Sequence, residues 1–475
     1  MRTVLAVLFL AAPLAAGAQS DPSAPYAEAA DRIVEAALAD STAWERTAYV
    51  GDTFGHRLSG SAALEATIDW AIETMRADGL ENVRGQPVDV PVWVRGDESA
   101  ALVLPTGDRD LPMLGLGGSV ATPPGGVEAE VLVVDSFEDL EARADEAAGR
   151  IVLFDVPFTT YGETVGYRTG GAVAAARAGA VASLVRSVGP VSLSTPHTGT
   201  MRYEDGVPRI PHAALTIEGA ETLRRIQERF QQGRTAGRRG GRPVVRLTMN
   251  AETRPDARSR NVIGELVGRE APDETVVLGC HIDSWDVGQG AVDDMGGCAV
   301  TWEAVAVLAR LGLRPRRTVR VVLWTNEENG LRGATAYRDS LGDDLSGIQL
   351  ALESDSGVYE PVGFGYTGAP GGLETLRARV EPLVLALLAD GTDAGPAGIV
   401  EGGGGADIGP MMRDGVPGLS LRTDNGRYFW VHHTAADTVD KLDPGHLARA
   451  TAATAILAYV AAEMPERLPH GASAD

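Results

Sequence analysis

Three apolar runs, residues 275–279, 320–324 and 348–352, each read as a buried strand, and each breaks off into acidic or imidazole side chains. The first runs into Cys280-His281-Ile-Asp283-Ser-Trp-Asp286 and then, past Gly288 and Gly290, into Asp293-Asp294. The second ends in Thr325-Asn326-Glu327-Glu328 and the third in Glu353-Ser354-Asp355. Between the first two, a helix is predicted over 297–311, because Val300, Ala304, Val307, Leu308 and Leu311 fall on one face, the stripe of a helix that covers a sheet. With a further strand at 261–266, this alternation restricts the region to the α/β class, whose open sheets collect reactive groups beyond the carboxyl ends of their strands. Further on, Tyr428-Phe-Trp-Val-His432-His433-Thr-Ala-Ala-Asp437-Thr438 supplies the only adjacent histidine pair.

Carboxylates gathered at one sheet edge repel one another strongly in a partly dry cleft, so something positive has to hold them together. The composition offers little: Lys441 is the only lysine, and 42 basic against 65 acidic residues leave a formal charge of −23. A pair of divalent cations is the simplest answer. Nitrogen and oxygen donors without thiolates suit zinc in an open catalytic site, though donor types alone leave manganese and cobalt open. The same composition excludes other chemistries. Phosphate loops and Schiff-base enzymes need a placed lysine, and Lys441 sits in a polar segment. The negative charge disfavours nucleic acid. No Gly-x-Ser-x-Gly elbow and no His-Glu-x-x-His occurs. Gly288-x-Gly290 resembles the start of a dinucleotide fingerprint, but Asp293 stands where the third glycine belongs. Taken singly, His-x-Asp is common by chance and Glu-Glu is usually a solvated helix face; their joint placement after successive strands is what points to a site.

At 475 residues the chain has room for two or three domains at roughly 150 residues each. Arg2, an apolar run over 4–16 and the small-residue ending Ala16-Gly17-Ala18 read as a secretory signal, 1–18, cleaved after Ala18. The run is shorter than the roughly 20 residues of a membrane span, so the chain is expected to be exported, periplasmic or secreted, with no membrane anchor in the mature chain. Helices are predicted over 26–38 and 62–75 and a strand over 88–93. Between 105 and 250 the character changes: strands at 129–134 and 149–154, a small-residue helix at 171–180, no evident catalytic cluster, and a glycine- and arginine-rich linker over 234–242. The chain divides on this reading into a discontinuous domain, 19–104 and 251–475, and an insert, 105–250.

The run from His281 through Asp293-Asp-Met-Gly-Gly, with Asn326-Glu-Glu328 and His432-His-Thr-Ala-Ala-Asp437, resembles the co-catalytic zinc exopeptidases related to aminopeptidase Y. The likeness spans nearly the whole mature chain, including the Gly-His-Arg-Leu-Ser-Gly segment at 55–60 and residues 129–219, which look like a protease-associated insert. It implies a zinc exopeptidase fold, a mixed, mostly parallel sheet flanked by helices and carrying that insert. It also implies two zinc ions per subunit. His281 and Asp355 would hold one and Glu328 and His433 the other, with Asp293 bridging and a cis peptide between Asp293 and Asp294. Glu327 would be the general base, drawing a proton from a metal-bridging water whose hydroxide attacks the peptide carbonyl. Asp283 would fix the far ring nitrogen of His281. Of the adjacent histidines, His433 matches the ligand, because it directly precedes Thr434-x-x-Asp437, and His432 lines the cleft or packs.

The implied substrates are dipeptides or short peptides. The alternatives are an aminopeptidase with the same metal site and a non-catalytic binding protein that keeps the fold; a homodimer is left open. Met295 departs from the small residue usual in the pattern. Cys280 and Cys298 are expected as reduced, buried thiols, with a disulfide as the other state. The loop at 402–407 and the Tyr428-Phe429-Trp430 run are expected to shape the pocket.

Overall fold

A computed structural model describes residues 21–235, 241–390 and 394–471. The expected signal, 1–18, and residues 236–240 of the expected linker lie outside the described residues.

The three runs that end in acidic or imidazole groups form the middle of an eight-stranded sheet. Its order is Glu81–Val94, Glu252–Leu266, Arg317–Trp324, Ala271–His281, Ile348–Glu353, Gly418–Thr423, Pro361–Thr367, Gly398–Glu401. Arg317–Trp324, Ala271–His281, Ile348–Glu353 and Gly418–Thr423 pair parallel in that order. Antiparallel strands extend the sheet on both sides. The expected mixed, mostly parallel α/β sheet is what forms. Because these four strands point the same way, their carboxyl ends share one edge, and His281, Glu327, Glu328 and Asp355 come to that edge together.

Helices cover both faces. On one lie Ala27–Leu38, Thr42–Thr53, Ala62–Ala77, Gly296–Arg310 and Pro444–Glu463, sharing one apolar core with Val276, Leu278, Val321 and Leu350. On the other, Tyr337, Ile408 and Met411 pack against Val277, Val322 and Trp324. The helix Gly296–Arg310 is buried on every side from Gly296 to Leu308, not along one stripe, because other helices cover its outer face as well. Glu303, on that helix, is buried and pairs with Arg46 at 2.5 Å, and Arg46 also reaches Asp78 at 2.7 Å. A carboxylate in that position requires such partners, since an unpaired buried charge costs several kcal/mol.

The expectation of free thiols is corrected here: Cys280 and Cys298 form a disulfide. Cys280 lies at the end of the strand and Cys298 in the first turn of the helix, with Cα atoms 4.9 Å apart, inside the range that a disulfide spans. The bond closes the loop that carries Asp293 and Asp294.

A second eight-stranded sheet is built between Glu98 and Met249, in the order Arg109–Asp110, Glu98–Leu102, Val244–Met249, Val127–Val134, Ile151–Phe154, Ala182–Arg186, His212–Leu215, Met113–Gly115. It has apolar cores of its own on its two faces. The helix expected over 171–180 is Tyr161–Arg177, opened by Thr160, whose hydroxyl accepts from the Glu163 amide. Gly162, Gly166 and Gly170 mask its first turns in the sequence, since glycine is a poor helix former. Among the described residues no helix is long and apolar enough to cross a membrane.

The disulfide yields a check. Alkylation of the denatured, unreduced protein should label no cysteine, and replacing both cysteines by alanine should lower the stability to urea by about 2–4 kcal/mol. Two labelled thiols would contradict the pairing.

Candidate metal centre

The candidate residues converge as the strand ends dictate. His281 Nε2 lies 3.1 Å from Asp293 Oδ1 and 3.4 Å from Asp355 Oδ1. His433 Nε2 lies 3.2 Å from Asp293 Oδ2 and 3.1 Å from Glu328 Oε2. Asp293 therefore stands between two groups, His281 with Asp355 and His433 with Glu328. The peptide joining Asp293 to Asp294 is cis, as the sequence resemblance implies. His432 also faces Asp293, at 3.5 Å, and its ring stacks on that of His433 with centroids 3.6 Å apart. His433, which reaches both carboxylates, is better placed as a donor than His432, which lines the cleft.

Several backbone devices aim these side chains. Asp437 is buried, and its carboxylate accepts from the amides of Ala291 (3.0 Å), Val292 (2.7 Å) and Asp293 (3.2 Å), pinning the turn that presents Asp293. Burial and the nearby Asp293 push its pKa up to about 7 against these hydrogen bonds and Arg57. The fully buried Arg57 guanidinium donates to the carbonyls of Ile282, Gly55, Gln289 and Gly290, tying the 55–60 segment to both ends of the same loop. Asn326 and His433 both have positive φ, 66° and 59°, a conformation that non-glycine residues adopt at a cost and that clusters at functional sites.

The expected role of Asp283 needs correction. The far nitrogen of His281, Nδ1, meets the main-chain carbonyl of Asp283 at 2.9 Å, whereas the carboxylate is 4.0 Å away. That carboxylate is turned toward the neighbouring strand end, where it accepts from the amides of Glu327 (3.1 Å) and Glu328 (3.4 Å) and from Ser59 Oγ (3.3 Å). Asp283 thus fixes the imidazole through its backbone and the Glu327–Glu328 turn through its side chain.

The electrostatics match a cation site. Burial opposes ionisation of Asp293, yet His432, His281 and His433 hold its carboxyl well below the usual range. Burial pushes Glu328 up to about 7, with Asp293 adding to it, and holds Glu327 well above the ordinary carboxylate range. Burial raises Asp355 and Asp294 as well. Both oxygens of Asp294 are buried without a hydrogen bond, and such orphaned atoms call for an unseen partner; Asp293 Oδ2 has only the His432 and His433 rings beside it. Among the described residues no lysine or arginine forms an ion pair with these carboxylates; His281, Asp293 and Glu328, and likewise His281, Asp294 and Asp355, each bring three donor atoms within 4.8 Å of one another. The oxygen and imidazole donors fit zinc.

One wall of the site comes from a part of the chain that carries no evident catalytic cluster in sequence. A cleft of about 680 Å³ opens over Asp293, Glu327, Glu328, Asp355 and His433, and Tyr161, Arg168, Thr200, Met201 and Arg202 of the second sheet's unit line it too. His197, from the same unit, places Nε2 3.3 Å from His432 Nδ1 and stacks on His433. Tyr428 and Phe429 line the cleft as expected, whereas Trp430 and the 402–407 loop do not. Asp407 is instead buried beside Glu353, where burial and that neighbour hold it well above its usual range. Neither Arg168 nor His197 sits in a motif, so only the folded chain brings them to the site.

Ala291 and Val292 donate to one Asp437 oxygen and Asp293 to the other, so replacing Asp437 by Asn would leave one acceptor oxygen and set an N–H against the Asp293 amide, loosening the Asp293 turn. We expect a loss of roughly 10- to 100-fold in zinc affinity, read by competition with a chelating dye, with circular dichroism unchanged; native affinity would contradict this role for Asp437.

Comparison with known proteins gives the family. Residues 261–458 match the family model described as Peptidase family M28. The chain is 43% identical to carboxypeptidase Q of Xenopus laevis, across 94% of this chain and 91% of that protein. Its fold superposes with a TM-score of 0.87 on a peptidase M28 precursor from Shewanella amazonensis, at 33% identity over 94% of this chain and 99% of that one. A zinc aminopeptidase from Bacillus subtilis shares the fold alone, with a TM-score of 0.65 at 20% identity, over 91% of this chain and 97% of that one. The chain therefore belongs to peptidase family M28 and is a metallopeptidase.

Proposed function

We propose that this chain is an exported dinuclear zinc exopeptidase that hydrolyses dipeptides or short peptides, with Glu327 as the general base. The observation that carries the reading is the placement of Asp293 between His281–Asp355 and His433–Glu328, with Glu327 facing the cleft beside them. His281 and Asp355 would hold one ion, His433 and Glu328 the other, and Asp293 would serve both. Bound zinc supplies a Lewis acid that polarises a carbonyl and acidifies water at neutral pH.

The residues of the chain do the rest. Burial holds the Glu327 carboxyl above its ordinary range, which makes it a stronger base than a solvated carboxylate. It accepts the proton of the attacking water and passes it to the nitrogen of the leaving amine as the peptide C–N bond breaks, so that one water is consumed and an acid and an amine are released. Asp283 holds the Glu327 amide, and thereby the direction of its carboxylate. The second sheet's unit closes the cleft from above and, on this reading, is the protease-associated insert. The disulfide and the signal-like first residues support export.

Two experiments bear on this. Liquid chromatography of a dipeptide panel beside aminoacyl-nitroanilides should show dipeptides cleaved and the anilides spared; efficient cleavage of the anilides, which lack a free carboxylate, would make the enzyme an aminopeptidase. Glu327→Gln should retain metal and lose roughly 10²- to 10⁴-fold in kcat, while His433→Ala should lose metal. Near-native turnover in Glu327→Gln would remove Glu327 from the mechanism.

A further inference from the structure

The two halves of the candidate metal centre are supported from different parts of the chain. His281 ends the strand Ala271–His281 and Asp355 follows the strand Ile348–Glu353, and the carbonyl that meets the His281 ring, that of Asp283, lies in the loop of the same sheet. His433 and Glu328 lean on the second sheet's unit. The main chain of Thr198, fully buried in that unit, grips His433 twice: its amide donates to the His433 carbonyl at 2.9 Å, and its carbonyl lies 3.3 Å from His433 Nδ1. A carbonyl can only accept, so Nδ1 is the donor there, and Nε2, which faces Asp293 and Glu328, is the nitrogen left to offer a lone pair to an ion.

Glu328 is reached through Trp285. The Trp285 amide donates to Glu328 Oε1 at 3.2 Å, while Oε2 faces His433 at 3.1 Å, so the tryptophan takes one oxygen and leaves the other to the centre. The indole ring is 2% exposed, packs 5.7 Å from the His433 ring, and joins Leu58, Trp93 and Ala251 in a small separate core. Its buried nitrogen has no hydrogen-bond partner, so packing alone seats the ring. The far edge of that ring abuts Gly117 of the second unit: a Cβ on Gly117 would stand 2.1 Å from Cη2 and 2.4 Å from Cζ3, far inside contact distance. Gly117 is fastened in turn to the Thr198 segment, donating to the Gly199 carbonyl at 3.0 Å and accepting from the Met201 amide at 2.9 Å. One patch of the second unit, residue 117 with 198–201, therefore bears on both His433 and Glu328. Among the described residues no hydrogen bond from that unit reaches His281 or Asp355.

We propose that Gly117 and the Thr198 main chain are positioning groups for the ion held by Glu328 and His433, so that the second sheet's unit sets the affinity of that ion and not of its neighbour. This rests on the dinuclear reading above and adds what distinguishes the two ions. Only a residue without a Cβ lets Trp285 reach its seat. A displaced Trp285 withdraws its amide from Glu328 and its ring from His433, while His281 and Asp355 keep their own supports.

The test titrates zinc into the metal-free full chain against a chelating dye. The native protein should take two equivalents. Gly117→Ala should keep one at native affinity and hold the other roughly 10- to 100-fold more weakly, the usual cost of disturbing a group that orients a ligand. Trp285→Phe, whose ring is too short to reach Gly117, should weaken the same equivalent. The double variant Gly117→Ala/Trp285→Phe, in which the new methyl fills the space left by the shorter ring, should recover part of that affinity, and these two variants carry the test should Gly117→Ala not fold. Leu153→Ala opens a cavity in the second unit's own core and should lower the urea midpoint while leaving both equivalents unchanged. Zinc-edge anomalous diffraction from Gly117→Ala crystals should place the weaker peak between Glu328 and His433. Native affinity for both equivalents in Gly117→Ala or Trp285→Phe, equal weakening of both, the same selective loss in Leu153→Ala, no recovery in the double variant, or a weaker peak between His281 and Asp355 would each overturn the assignment. A native protein that takes fewer than two equivalents would count against the dinuclear reading instead.

Discussion

Everything about this site follows from the crowding of buried carboxylates at one sheet edge, none of which, among the described residues, is ion-paired with a lysine or arginine. Two unit charges 4 Å apart repel by about 4 kcal/mol at an effective dielectric of 20, and carboxylate oxygens of Asp293 and Glu328, and likewise of Asp294 and Asp355, lie within 4.8 Å of each other. Asp294, Asp355 and Glu353 add to the crowd, and burial with the charge of Asp355 pushes Glu353 up to about 8. A fold that accepts this cost, when one or two substitutions would relieve it, is arranged for cations. The parallel strands aim the groups at one edge, and the disulfide, Arg57 and Asp437 hold the loop that bears Asp293 against their repulsion.

The two sheets are built on separate cores. The main sheet and its helices form one large apolar core and bring the candidate metal donors to the edge. The second sheet is stabilised by cores of its own. It meets the first at the site, where the Thr198 amide donates to the His433 carbonyl at 2.9 Å and Arg95 ties Asp286 to the second unit. The cleft over the candidate metal donors is therefore lined by both.

Much of the main sheet was legible because its strands are short apolar runs with abrupt polar ends, and the polar ends are themselves the site. His281, Asp293, Glu327, Glu328, Asp355 and His433 each follow an apolar segment or sit in a dense motif, so their convergence could be read from strand direction. Arg168 and His197 carry no such local mark, and Arg57, though it lies in the 55–60 segment, has nothing beside it in sequence that assigns it a task. An arginine reads as solvated surface until the fold buries it, and their relation to the site spans distant parts of the chain. Asp283 shows a subtler limit: its place beside His281 was readable, but which of its oxygens the ring meets depends on where the neighbouring strand presents the Glu327 and Glu328 amides. The pairing of Cys280 with Cys298 likewise depends on how closely the helix start returns to the strand end, a distance that sequence spacing does not give.

The central claim is that this carboxylate crowd holds two metal ions that share Asp293. Anomalous diffraction at the zinc edge from crystals of the purified enzyme tests it most directly. The account predicts two peaks, one between His281 and Asp355 and one between Glu328 and His433, with Asp293 contacting both. A single peak, or peaks away from Asp293, would contradict it.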